Sequence, residues 1–111
     1  MAKKRHTFSR PTLDAVHVLG AQVAQARRAR GWTAAELAER VGVSPRTITS
    51  LERGAPTVAL GTAFEAATLL RIPLFGAEGP ELAALAHRER QVLALLPRRV
   101  HRSREPAHDD F

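Results

Sequence analysis

Arg46, Thr49, Ser50 and Arg53 recur at i, i+3, i+4 and i+7, a spacing that sets four hydrogen-bonding side chains on one stripe of a helix. Ile48 and Leu51 fall on the other, apolar side. Such a stripe suits recognition of another molecule rather than catalysis. An arginine fork can pair with both O6 and N7 of guanine, and hydroxyl groups can serve a base edge or a phosphate. Arg46 stands in the first turn, where a helix end-on to a groove reaches base edges, and Ser44 and Thr47 stand close by. The plainer role of the same residues is a solvated helix face, so their meaning depends on the elements that carry them.

Those elements can be read from local signals. Ser44 and Pro45 supply an N-cap and a first-turn proline for the helix that bears the stripe, and Gly54 and Pro56 end it. Just upstream, Thr33 and Glu36 have capping-box spacing, and Ala34, Leu37, Ala38 and Val41 follow at helical intervals until Gly42. Two short helices joined by a short glycine-containing turn form a helix-turn-helix, whose second helix enters the major groove of DNA.

A first helix is expected from Thr12 or Leu13, with Val16, Leu19, Val23 and Ala26 inward, and with Arg27, Arg28, Arg30 and Gly31 at its end. A fourth is expected over 59–70, with Leu60, Ala63, Phe64 and Ala67 on the buried face. Its successor, residues 72–75, is apolar but contains Pro73, which predicts an extended or turn-like plug for the core. A fifth helix starts near Pro80 and fades before Pro97; its Leu82, Leu85, Ala86, Leu93 and Leu96 exceed what packing on a small domain needs, and a dimer interface is one destination for them.

The expected fold is therefore all-α, laid out as a flexible basic arm (1–12), a helix-turn-helix domain (13–76), a C-terminal helix for dimerisation or packing (77–96) and a disordered tail (97–111). A chain of 111 residues, 44% of them hydrophobic, can bury one core. The net charge of +6 suits a polyanionic partner, although an arginine-rich soluble protein would show it too. The arm carries Lys3, Lys4 and Arg5, which could reach a minor groove or simply stay solvated. No apolar run follows it, and no stretch approaches the length that spans a bilayer, so a cytoplasmic protein without membrane contact is expected.

No catalytic, metal or cofactor site is expected. Cysteine is absent, which removes thiolate ligands and thiol nucleophiles and fits a reducing compartment. His6, His17, His87, His101 and His108 form no pair at ligand spacing, and neither a glycine-rich phosphate loop nor a nucleophile elbow is present. With no aromatic stacking surface, single-stranded RNA is disfavoured as a target.

The stretches "QVAQARRAR" (22–30), "GWTAAELAERVGVSPRTITSLERG" (31–54) and "LLRIPLFG" (69–76) resemble the lambda-repressor-like, or Cro/repressor, helix-turn-helix family. The resemblance implies a five-helix domain that binds operator DNA as a dimer, with Ser44, Pro45, Arg46, Thr49 and Ser50 at or beside the base-reading positions. It also implies an ion pair between Arg27 and Glu52 and a lid role for Trp32 over the core. Ala34 stands where many relatives carry glutamine, leaving only backbone N–H groups near Thr33 for a phosphate. Arg28, Arg30 and Arg53 are phosphate candidates. The run "GTAFEAATLLRIPLFG" and the tail ending Asp109-Asp110-Phe111 look like the antitoxins that accompany HipA-type kinase toxins. The implied function is transcriptional repression of the protein's own operon with such a toxin as partner. The alternatives are a free-standing regulator and a protein-interaction module that has lost DNA binding.

Overall fold

The computed structural model describes residues 7–100 and 102. Lys3, Lys4, Arg5, His6, His101 and the terminal residues 103–111 lie outside the described residues. Within them the chain forms α1 (Arg10–Ala29), α2 (Ala34–Val41), α3 (Pro45–Glu52), α4 (Leu60–Leu69) and α5 (Pro80–Ala94), with no strand. The chain divides into two units, Met1–Glu78 and Gly79–Phe111.

In the first unit, α1 starts at Arg10, earlier than Thr12 or Leu13. Ser9 is extended and accepts the Thr12 N–H, and Pro11 sits in the first turn, where its missing N–H costs nothing. Pro11, expected to close a flexible arm of residues 1–12, thus opens a helix instead. The helices end alike. Trp32, Val43, Ala55 and Ile72 donate their N–H groups to the carbonyls of Arg27, Ala38, Ser50 and Ala67, each five residues back. This is the 6→1 bond of a Schellman ending, which needs a left-handed residue just before the donor. At the turn between α2 and α3 Gly42 supplies it, with φ of 89°. After α4 it is Arg71, at φ 60°, in place of the usual glycine. Trp32, Val43 and Ile72 then drop onto the core, so closing a turn and filling the interior are one event.

That core is built from Val23 of α1, Leu37 and Ala38 of α2, Ile48 and Leu51 of α3, and Ala63, Ala66 and Leu70 at α4. Each fully buried leucine or isoleucine contributes about 1.5–3 kcal/mol. Leu19, Ala26, Ala34 and Val41 pack around the cluster, as their spacing predicts.

Two expectations are corrected here. Leu60 is 69% exposed, lining a surface groove with Val16, Leu19 and Pro56, while Ala66 and Leu70 are buried with Ala63 and Ala67. The sets 60, 63, 64, 67 and 63, 66, 67, 70 share the same helical spacing, and a uniformly apolar helix does not tell them apart. The second concerns residues 72–75. Ile72 packs on the core, but Phe75 is 75% exposed, its ring edge-on to Phe64 at 5.9 Å. Leu74 and Ala77 exchange backbone bonds in an isolated bridge, which turns Phe75 outward at φ 56°.

Two contacts fix α3 against α1. Gly20 is buried, and a Cβ there would overlap the carbonyl oxygen of Leu51. Farther along, Arg27 Nε and one terminal nitrogen donate to the two Glu52 oxygens at 2.6 and 2.9 Å, while the other terminal nitrogen donates to the Trp32 carbonyl at 2.7 Å. Both side chains are 11% exposed, so stranding either charge would cost about 3–5 kcal/mol. Glu52 in turn raises the Arg27 pKa through this bond.

In the second unit, Gly79 precedes α5 and Pro80 occupies its first turn. None of its residues is buried, and Val92, Leu93 and Leu96 are exposed. No helix among the described residues is long and apolar enough to cross a membrane.

The Gly20 contact involves backbone that cannot swing aside. Gly20→Ala should therefore lower stability by about 1–3 kcal/mol, read from the urea midpoint of unfolding.

Candidate nucleic-acid interface

The reading-face candidates sit on an eight-residue helix whose start is set by its own side chains. Ser44, extended at ψ 154°, accepts the Thr47 N–H at 3.3 Å, and its hydroxyl lies 3.1 Å from that of Thr47, one of the two donating to the other. Pro45 follows in the first turn with no N–H to satisfy. Ile48 and Leu51 are fully buried beneath. This leaves Arg46 exposed in the first turn and Thr49 and Ser50 half-buried one turn on, with Arg53 exposed as the C-cap just beyond the helix. Among the described residues neither Arg46 nor Arg53 forms an ion pair or side-chain hydrogen bond, so both guanidinium groups are available to an anion or a base edge.

The hydroxyls differ more than their spacing suggests. Thr49 Oγ1 donates to the Pro45 carbonyl at 3.0 Å. The Ser50 hydroxyl has no partner among the described residues, although its backbone carbonyl accepts from Ala55.

Arg46, Thr47 and Ser50 line a cleft of about 440 Å³ together with Thr57 and Thr62. Thr49, Arg53 and Thr33 are not among its lining residues. Thr57 and Thr62 escape a motif-based reading because they lie beyond the helix-turn-helix. Only the chain reversal after Gly54 returns them to α3, and no local signal marks them.

Thr33 forms the capping box that its spacing from Glu36 predicts. Its hydroxyl accepts the Glu36 N–H at 3.0 Å and its own N–H donates to the Glu36 carboxylate at 2.8 Å, a complete capping box. The Thr33 N–H is therefore already taken by a carboxylate, and any phosphate at this end meets the first-turn amides beyond it alongside Glu36. Trp32 is half-buried against the core, and the Arg40 guanidinium lies 4.1 Å from its ring centroid, with Arg30 at 5.8 Å. The indole is thus a lid that also holds two cations, and Arg30 donates to the Ala26 carbonyl as well.

The bond from the Thr33 N–H, followed by that of its side chain and the charge of Arg40, holds the Glu36 carboxyl below its ordinary range. A depressed folded-state pKa means that Glu36 supports α2 fully above the ordinary carboxylate range, and that this support fades as pH falls through the folded value. Glu36→Gln cannot titrate. Its urea midpoint should fall less between pH 7 and pH 3 than that of the unaltered chain, and equal acid sensitivity would remove Glu36 from the account.

Residues 23–76 match the family model described as helix-turn-helix. The matched segment runs from the core residue Val23 through α2, α3 and α4 to the turn at Gly76. Neither the curated proteins nor the solved structures compared with the chain include a match. The match coincides with the glycine-turned helix pair α2–α3, packed on α1 and α4. Residues 23–76 thus match a helix-turn-helix family model and the helices have the all-α, lambda-repressor-like fold, a match that supports a DNA-binding transcription regulator.

Proposed function

We propose that the chain is a non-catalytic, cytoplasmic transcriptional repressor that binds double-stranded operator DNA as a homodimer, with α3 in the major groove. The observation that carries this reading is the division of α3: Ile48 and Leu51 are fully buried, and Arg46 and Arg53 stand exposed, their side chains without an ion-pair or hydrogen-bond partner among the described residues. Arg46, at the helix start, pairs with a guanine edge. Ser50 contributes a second polar contact in the groove, and Thr49 reads beside it. Ser44, Pro45 and Thr47 approach the backbone next to the bases, Arg53 meets a phosphate, and the first turn after Thr33 offers its amides to another. The exposed apolar residues of α5 support the dimer, whose half-sites lie about one helical turn apart.

On the resemblance of residues 61–76 and of the tail to HipA-associated antitoxins, the dimer represses its own operon and binds a HipA-type kinase toxin. The expected finding is a kinase-like toxin encoded beside the gene that co-purifies with the full chain. An isolated gene would identify a free-standing regulator instead.

Fluorescence anisotropy on the duplex upstream of the protein's own gene, against scrambled competitor, tests the DNA reading. Arg46→Ala should weaken operator binding roughly tenfold or more and relax specificity at a guanine. Arg53→Ala should weaken all sequences alike and reduce the salt slope by about one. Unchanged affinity in both variants would point to a protein-interaction module.

A further inference from the structure

We infer that Thr49 reads the operator through its γ-methyl group, against the C5-methyl of a thymine, and not through its hydroxyl. The inference rests on α3 being the reading helix. Threonine in a helix chooses between two rotamers, one of which returns Oγ1 to the carbonyl of the preceding turn. Thr49 takes that one, donating to Pro45 at 3.0 Å. The bond lies wholly within α3, so its geometry does not depend on any other element. With the oxygen turned back on the backbone and its proton spent, the methyl is the group Cβ has left to present.

The neighbouring hydroxyls make the contrast. The Ser44 and Thr47 hydroxyls bond to each other at the helix start. Ser50 has no methyl, and its hydroxyl is uncommitted among the described residues. Thr49 is half-buried and stands three residues after the exposed Arg46, within the same stripe. The polar stripe Arg46–Thr49–Ser50–Arg53 is therefore chemically mixed: guanidinium groups for acceptors, one hydroxyl for a hydrogen bond, and one methyl. Thymine is the only base that offers a methyl group to the major groove. The pairing thus selects thymine next to the guanine read by Arg46, and burying one methyl changes affinity about fourfold.

The test uses the full chain and the tightest duplex selected from a random-sequence library. Each thymine is replaced singly by deoxyuridine, which removes only the C5-methyl. One position per half-site should weaken binding about fourfold. The thymine–deoxyuridine difference should persist in Thr49→Val, which keeps the methyl, and vanish in Thr49→Ser, which keeps the hydroxyl. A flat deoxyuridine series would overturn the assignment, as would sensitivity that survives Thr49→Ser and disappears in Thr49→Val. Arg46→Ala, measured on the same duplex, separates the two levels. If it weakens binding while the series is flat, only the role of Thr49 falls. If Arg46→Ala and both Thr49 variants bind as the unaltered chain does, α3 is not the reader. Urea midpoints of all variants guard against loss of fold.

Discussion

The guanidinium of Arg27 holds three parts of the chain at one point: the last turn of α1, which carries it, the carbonyl of Trp32 just before α2, and the carboxylate of Glu52 at the end of α3. Its planar fork matches a carboxylate with two bonds and leaves a third nitrogen for the carbonyl, a division of labour that a lysine ammonium could not reproduce. Because both side chains are only 11% exposed, solvent screens the pair far less than it would a surface pair, and the bonds tie the helix ends together. The close approach at Gly20 acts one level lower in the same seam, where backbone meets backbone. Such anchoring fixes the rotation of α3 about its axis, and with it the side on which Arg46 stands exposed.

The turns contribute through the same economy. A Schellman ending satisfies the last carbonyls of a helix and sends the next apolar residue back toward the interior. Trp32, Val43 and Ile72 all arrive at the core by this route. In a domain with so few aromatic residues, these returning side chains close the interior around the alanines of α4. The face opposite that interior is free to be polar, which is where Arg46 and Ser50 stand with Thr57 and Thr62.

Much of this was legible in the residues. The capping box at Thr33, the Ser44–Pro45 start, the Gly42 turn and the inward Leu37, Ala38, Ile48 and Leu51 were all readable, and the structure has them so. The Arg27–Glu52 pair came only through family resemblance, since nothing in the spacing of residues 25 apart announces a contact. Leu60 falls on an inward stripe by helical spacing and Phe75 lies in an apolar run, yet both are exposed. Burial on α4 is instead decided by how closely its alanines let α2 approach, and small residues carry a weak hydrophobic signal.

What the sequence by itself determined was whatever one or two turns of chain can settle: where helices begin and end, which residues cap them, and which side of α2 and α3 is apolar. Those choices depend on atoms within a few residues of one another, so a pattern contains them. The tertiary structure alone decided the rotation of α4, the outward turn of Phe75, and the meeting of Thr57 and Thr62 with Arg46. Each of these is set by competition among surfaces far apart in the chain, where packing volume and backbone approach outweigh local preference. The commitment of the Thr49 hydroxyl differs in kind: its bond lies within α3, but a threonine in a helix has two good rotamers, and the sequence does not say which one is taken.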